Sequence, residues 1–147
     1  MHQVASIHAL RVVTTLRPMT QRTVHATFEI DLTPGDAVLD GTHRMDFTKT
    51  WSGGIEGASR GAMLSAGDPG SGDAGYVALE VLDASIDGRR GTVVLQQSGT
   101  MTGGDAELTY RIVPGSGTGE LAGITGTVDL EVTDGRHEVT LTYDTAG

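Results

Sequence analysis

The chain contains no cysteine, only four prolines and only six aromatic side chains among its 147 residues. Without cysteine there is no disulfide, thiolate nucleophile, zinc ribbon or iron–sulfur ligation, and the redox compartment leaves no mark on the sequence. Positive charge is scarce as well. Ten Lys and Arg face 19 Asp and Glu, a formal charge of −9, and the basic residues are scattered. That balance repels phosphate backbones and anionic lipid, so neither nucleic acid nor a membrane is expected as a partner. No apolar run approaches the roughly 18 residues of a helical span, which leads us to expect a soluble protein. What the chain has in excess is glycine, 22 residues, about twice ordinary usage. Each glycine inside a helix costs on the order of 1 kcal/mol, which excludes a helix-dominated fold. The 37% of hydrophobic residues is still enough to bury a core.

Residues 1–18 stand apart. They hold Arg11 and Arg17 and no acid, whereas residues 19–147 hold 8 basic and 19 acidic side chains. We read 1–18 as a flexible N-terminal extension, with Met19 as the functional start, and 19–147 as a single domain. His8 and Arg11 interrupt any apolar run of signal-peptide length, so a cytoplasmic location is expected.

From residue 23 onward, apolar side chains recur at every second position between glycine-bearing turns, the period of a half-buried strand. Val24, Ala26, Phe28, Ile30 and Leu32 share one face of the first segment. The second runs from about Thr42 to Trp51, with Met45, Phe47, Lys49 and Trp51 in phase. Glycines blur the facing of the third, Ile55 to Ser65. Residues 66–75, with Pro69 and four glycines, predict a flexible loop and a candidate lid. In the fourth segment Val77, Leu79 and Val81 face one way and Tyr76, Ala78, Glu80 and Leu82 the other, so both faces are largely apolar. Asp87-Gly88 signals a hairpin. Four more segments follow, centred on Val93–Met101, Leu108–Ile112, Val128–Val132 and His137–Tyr143. Eight antiparallel strands with short connections predict an all-β closed barrel, with a two-sheet sandwich as the alternative.

Motifs for common chemistries are missing. Gly115-Ser116-Gly117-Thr118-Gly119 lacks the Gly-Lys-Ser/Thr ending of a phosphate loop and the spacing of a dinucleotide fingerprint, and Glu120 puts negative charge where a phosphate would sit. It reads as a structural turn. His25, His43 and His137 lie on separate segments with no metal-ligand spacing, and no Gly-x-Ser-x-Gly elbow is present. Neither metal nor cofactor is expected.

More telling are polar residues in phase with apolar faces, because a buried polar group without a partner costs about 1–3 kcal/mol. Lys49, Glu80, Gln97 and His137 meet that test. One reading is structural: tips that reach water, or a mutual ion pair of Lys49 with Glu80. The other is functional: a carboxylate in an apolar cavity has a raised pKa and exchanges protons with a ligand, which makes Glu80 the candidate catalytic residue.

The segments Tyr76-Val77-Ala78-Leu79-Glu80, Val94-Leu95-Gln96-Gln97 and, above all, Val113-Pro114-Gly115-Ser116-Gly117-Thr118-Gly119-Glu120-Leu121-Ala122-Gly123 resemble a bacterial domain-of-unknown-function family over about residues 21–145. Its members are similar in fold to allene oxide cyclase. The resemblance implies an eight-stranded antiparallel barrel of the allene oxide cyclase type, often oligomeric, with a central cavity that restrains a reactive apolar molecule, as in the cyclases and dirigent proteins. The family usually has His at the position of Gln97, and glutamine cannot titrate.

Two functions follow as expectations. One is a cofactor-independent isomerase or cyclase, with Glu80 moving a proton, Gln97 and Tyr76 fixing an oxygen atom, Trp51, Phe47 and Leu95 shaping the wall, and Lys49 at the site. The other is a module that binds a small hydrophobic molecule without transforming it. The resemblance implies a homo-oligomer in either case, and a barrel plugged by its own side chains would exclude both.

Overall fold

The structure, a computed structural model, describes residues 21–145; the expected extension, 1–18, lies outside them. Eight strands follow in chain order: β1 (Gln21–Gly35), β2 (His43–Gly53), β3 (Ile55–Asp68), β4 (Asp73–Ile86), β5 (Arg89–Thr102), β6 (Asp105–Ile112), β7 (Thr125–Thr133) and β8 (Arg136–Asp144). Each pairs antiparallel with its neighbours, and β8 returns to β1 through pairs such as Val24–Leu141 and Ala26–Val139, closing the barrel. The sandwich alternative is thereby excluded. Among the described residues no helix is long and apolar enough to cross a membrane.

Alternation dictates what fills the interior. Val24, Ala26 and Phe28 of β1, Trp51 of β2, Leu82, Ala84 and Ile86 of β4 and Leu141 and Tyr143 of β8 are all buried in one core. The glycines that blur the facing of β3 make room for larger neighbours. A Cβ at Gly61 would collide with the Phe47 ring and with Cβ of Glu80, so the absent side chain lets both point inward.

The two ends of the barrel are built differently. At the lower end lie the β2–β3 and β4–β5 turns and the long β6–β7 connection. That connection folds back across the barrel: Thr118 N–H donates to the Thr92 carbonyl at 2.9 Å, Ser116 Oγ accepts from Val94 N–H at 3.0 Å, and Leu121 and Ile124 are buried as a plug. The glycine-rich run is thus a structural turn, and the Glu120 carboxylate accepts from the Arg90 backbone N–H at 3.1 Å.

At the upper end the expectation for residues 66–75 needs correction. β3 and β4 continue through most of that segment, leaving only a short 3-10 turn at Pro69–Ser71. Asp68 caps it by accepting from Gly70 N–H at 2.9 Å, and Gly67 and Gly72 take φ of 81° and 90°, which glycine adopts without steric cost. The glycines therefore serve a tight hairpin, and residues 66–75 are not a flexible lid. Its tip is tied to the next hairpin, where Gly104 N–H donates to the Gly72 carbonyl at 3.0 Å.

The wall has one weak seam. β6 and β7 share a single register pair, Arg111 with Thr127.

Candidate functional site

Glu80 lies mid-barrel, 2% exposed, opposite Gly61 and Leu95 in the register. Its carboxylate is fully engaged. Oε1 accepts from the Lys49 ammonium at 2.9 Å and from the Tyr110 hydroxyl at 2.6 Å, while Oε2 accepts from the Ser59 hydroxyl at 2.7 Å. Ser59 Oγ in turn accepts from the Trp51 indole N–H at 3.0 Å. The mutual ion pair that the sequence left open as the structural reading is therefore formed.

Lys49 completes the cluster. Its Nζ also donates to Tyr110 Oη at 3.1 Å and lies 4.3 Å from the centroid of Phe28, with the rings of Phe47, Tyr110 and Trp51 at 5.1, 5.2 and 5.6 Å. The negative faces of aromatic rings attract a cation, more strongly when it is desolvated. Burial still dominates and holds the Lys49 pKa below its ordinary value, against the pull of Glu80. Burial, reinforced by the Glu80 charge, pushes the Tyr110 hydroxyl well above the usual tyrosine range. Phe47, Trp51 and Leu95, proposed as cavity wall, are all buried in this packed region.

Above this floor the barrel opens. An apolar cavity of about 390 Å³ lies at the upper end, lined by Met63, Ala74, Tyr76, Met101, Ala106 and Leu108 among others. Ser65, Tyr76, Gly99 and Leu108 are successive partners across four strands, so the side chains of Ser65, Tyr76 and Leu108 share the inner face. A Cβ on Gly99 would collide with the Tyr76 ring, which therefore lies against the wall. Its hydroxyl accepts a hydrogen bond from Gln97 Nε2, and burial raises its pKa while that bond opposes the shift. The inner face is uncovered around this mouth. Leu32, Leu108 and Val132 point inward by register yet are 50%, 43% and 60% exposed, the last two on the strands that part above the Arg111–Thr127 pair.

The sequence candidates thus fall into two groups. Lys49, Glu80, Phe47, Trp51 and Leu95 form or abut the floor, whereas Tyr76 lines the mouth, with Gln97 bonded to it. His137 stacks on Phe28, ring centroids 4.7 Å apart. Sequence reasoning missed Ser59 and Tyr110 in the network and Met63, Met101 and Leu108 in the mouth. The phase of Tyr110 with Leu108 and Ile112 was readable, but its hydrogen-bond partners were not. Among the described residues no group of three or more His, Asp or Glu is placed to hold a metal ion.

The model of the family described as "Protein of unknown function (DUF3224)" matches residues 24–143. Among solved structures, the crystal structure of a protein with unknown function from the DUF3224 family of Shewanella oneidensis MR-1 is 38% identical. The match covers 88% of this chain and 99% of that one, with a TM-score of 0.78. No curated protein matches.

Proposed function

This chain belongs to the DUF3224 family of proteins of unknown function, and from that premise we propose that its barrel binds one small, largely apolar molecule in the upper mouth, without a cofactor. The observation that carries this reading is the apolar cavity of about 390 Å³, with the Tyr76 ring on its wall and the Tyr76 hydroxyl held by Gln97. Ligand sites are typically concave, mostly apolar and marked by a few placed polar groups. An apolar ligand would cover the exposed inner face of Leu108, and the Tyr76 phenol would bond its oxygen. The resemblance to allene oxide cyclase barrels belongs with this reading, as does a cytoplasmic location, which cell fractionation checks.

A second reading, an isomerase or cyclase, draws on one observation. Tyr110 donates to Glu80 and stands opposite Gln97 in the register. Glu80 would then act on a ligand through the Tyr110 hydroxyl, and positioning by the mouth would select one ring closure or double-bond shift.

Native mass spectrometry of protein purified from its own host tests the binding reading. We expect a retained apolar molecule, absent from an Ala74→Trp variant that fills the mouth. Unchanged retention by a folded Ala74→Trp protein would contradict it. Once the ligand is known, a Tyr110→Phe variant that still binds but no longer converts it supports the isomerase, and unaltered ligand on the wild-type protein opposes it.

A further inference from the structure

The outer face of the barrel carries a feature that the mouth does not use. Val77, Leu79 and Val81 project outward from β4 and are 56%, 58% and 53% exposed. The register places Leu64, Ala62 and Arg60 beside them on β3 and Ser98, Gln96 and Val94 on β5. The wall thus presents to water an apolar stripe along β4, widened by Leu64 and Ala62 on β3 and Val94 on β5 and edged by the polar Arg60, Gln96 and Ser98, and exposed apolar patches of this kind mark interaction surfaces.

Charge identifies the occupant. At the lower end of the stripe Glu56 on β3, Ser85 on β4 and Arg90 on β5 stand at one level, so opposite charges flank β4 symmetrically. Both are exposed. A two-fold axis running along β4 brings β3 of one copy over β5 of the other. Glu56 then faces Arg90 of the second copy, and the pair repeats on the other side of the axis. Val77, Leu79 and Val81 meet their own images, as an isologous contact requires. Asp83 also meets its image, but Arg90 of its own chain lies 3.5 Å away and screens it. The opposite wall, with Glu29, Asp31, Asp129, Glu131 and Glu138, points away from the contact, so the burden of a −9 chain stays at the far sides.

We propose that the outer face of β3–β4–β5 is the interface of a two-fold homodimer, centred on Leu79 and registered by reciprocal Glu56–Arg90 pairs. The interface is distinct from the mouth and does not depend on what the mouth binds.

Sedimentation velocity of the full chain across a concentration series tests it, with circular dichroism to confirm folding of each variant. The wild-type chain is expected to form a dimer. Leu79→Asp, which sets two buried carboxylates face to face, should weaken it at least tenfold, and Arg90→Glu or Glu56→Arg alone should weaken it measurably. The exchanged pair, Glu56→Arg with Arg90→Glu, should recover association. Monomers at every concentration overturn the proposal, even if the face then proves to bind lipid or another protein. So does a dimer indifferent to Leu79→Asp, or an exchanged pair no better than its singles.

Discussion

The lower and upper halves of this barrel use the same strands for opposite ends. Below, the β6–β7 connection delivers Leu121 and Ile124 into the bore, each 1% exposed, and the Lys49–Glu80–Tyr110–Ser59–Trp51 network fills the middle with every carboxylate oxygen bonded. Above, the inner face runs on through the half-buried Met63 and Met101 to the exposed Leu108 and opens to solvent. The contrast separates the end that carries the packing from the end that is free of it. A packed end holds the fold, and a polar floor stops the cavity from continuing downward, which leaves the mouth free of packing duties.

The comparison is broken most severely from the floor. Removing one member of a buried ion pair strands the other, typically at a cost of about 3–5 kcal/mol. Glu80→Gln or Lys49→Met should therefore lower unfolding free energy by that order in urea titrations. The double variant Lys49→Met/Glu80→Leu should recover part of the loss, because two apolar groups replace two desolvated charges while the Ser59 and Tyr110 hydroxyls lose their acceptor. If the double variant is as unstable as the singles, the pair is not acting as one unit.

The plug comes next. Leu121→Ala should cost about 2–5 kcal/mol, the range for a buried leucine that leaves a cavity, whereas Met101→Ala at the open mouth should cost under about 1 kcal/mol. Equal losses in the same titration would erase the distinction between the ends.

Alkaline pH gives a graded test. Tyr76, Tyr110 and Tyr143 are all shifted upward, each mainly by burial, so from about pH 10 the unfolded chain loses protons that the folded one keeps. Stability then falls as pH rises. Lys49, shifted downward by burial, acts in the other direction between its lowered pKa and 10.5, where the unfolded chain holds the extra proton. Three tyrosines outweigh one lysine, so wild-type stability should decline above about pH 10, and Tyr110→Phe should flatten that decline. The smallest effect concerns Tyr76: Tyr76→Phe should change the unfolding free energy by no more than about 0.5 kcal/mol but weaken binding of any oxygen-bearing ligand in the mouth.

Much of the fold was readable, because alternation in segments such as Val24–Leu32 and Tyr76–Leu82 has no helical counterpart. Lys49 and Glu80 were visible as intruders on apolar faces. Their mutual pairing depended on register across β2, β3 and β4, which Gly61 helps to set and which sequence spacing cannot report. The 66–75 segment misled for a definable reason: proline and glycines mark tight hairpins and long loops alike, and only the pairing of Asp68 with Asp73 distinguishes them. The mouth was unreadable because Met63, Met101 and Leu108 alternate just as core residues do. Leu108 is exposed on a strand that pairs with β7 at one position only, Arg111 with Thr127, a separation that alternation does not encode. Val77, Leu79 and Val81 were equally ambiguous, since an apolar outer face looks the same in sequence as a buried one.

The most direct test of an open mouth above a closed floor is methyl NMR with ¹³C-labelled methionine and observation of the Trp51 indole, during titration with a medium-chain alkanol. Saturable shifts of Met63 and Met101 with an unmoved Trp51 resonance are the predicted result. Silent methionines, or a Trp51 signal that moves with them, would contradict the account.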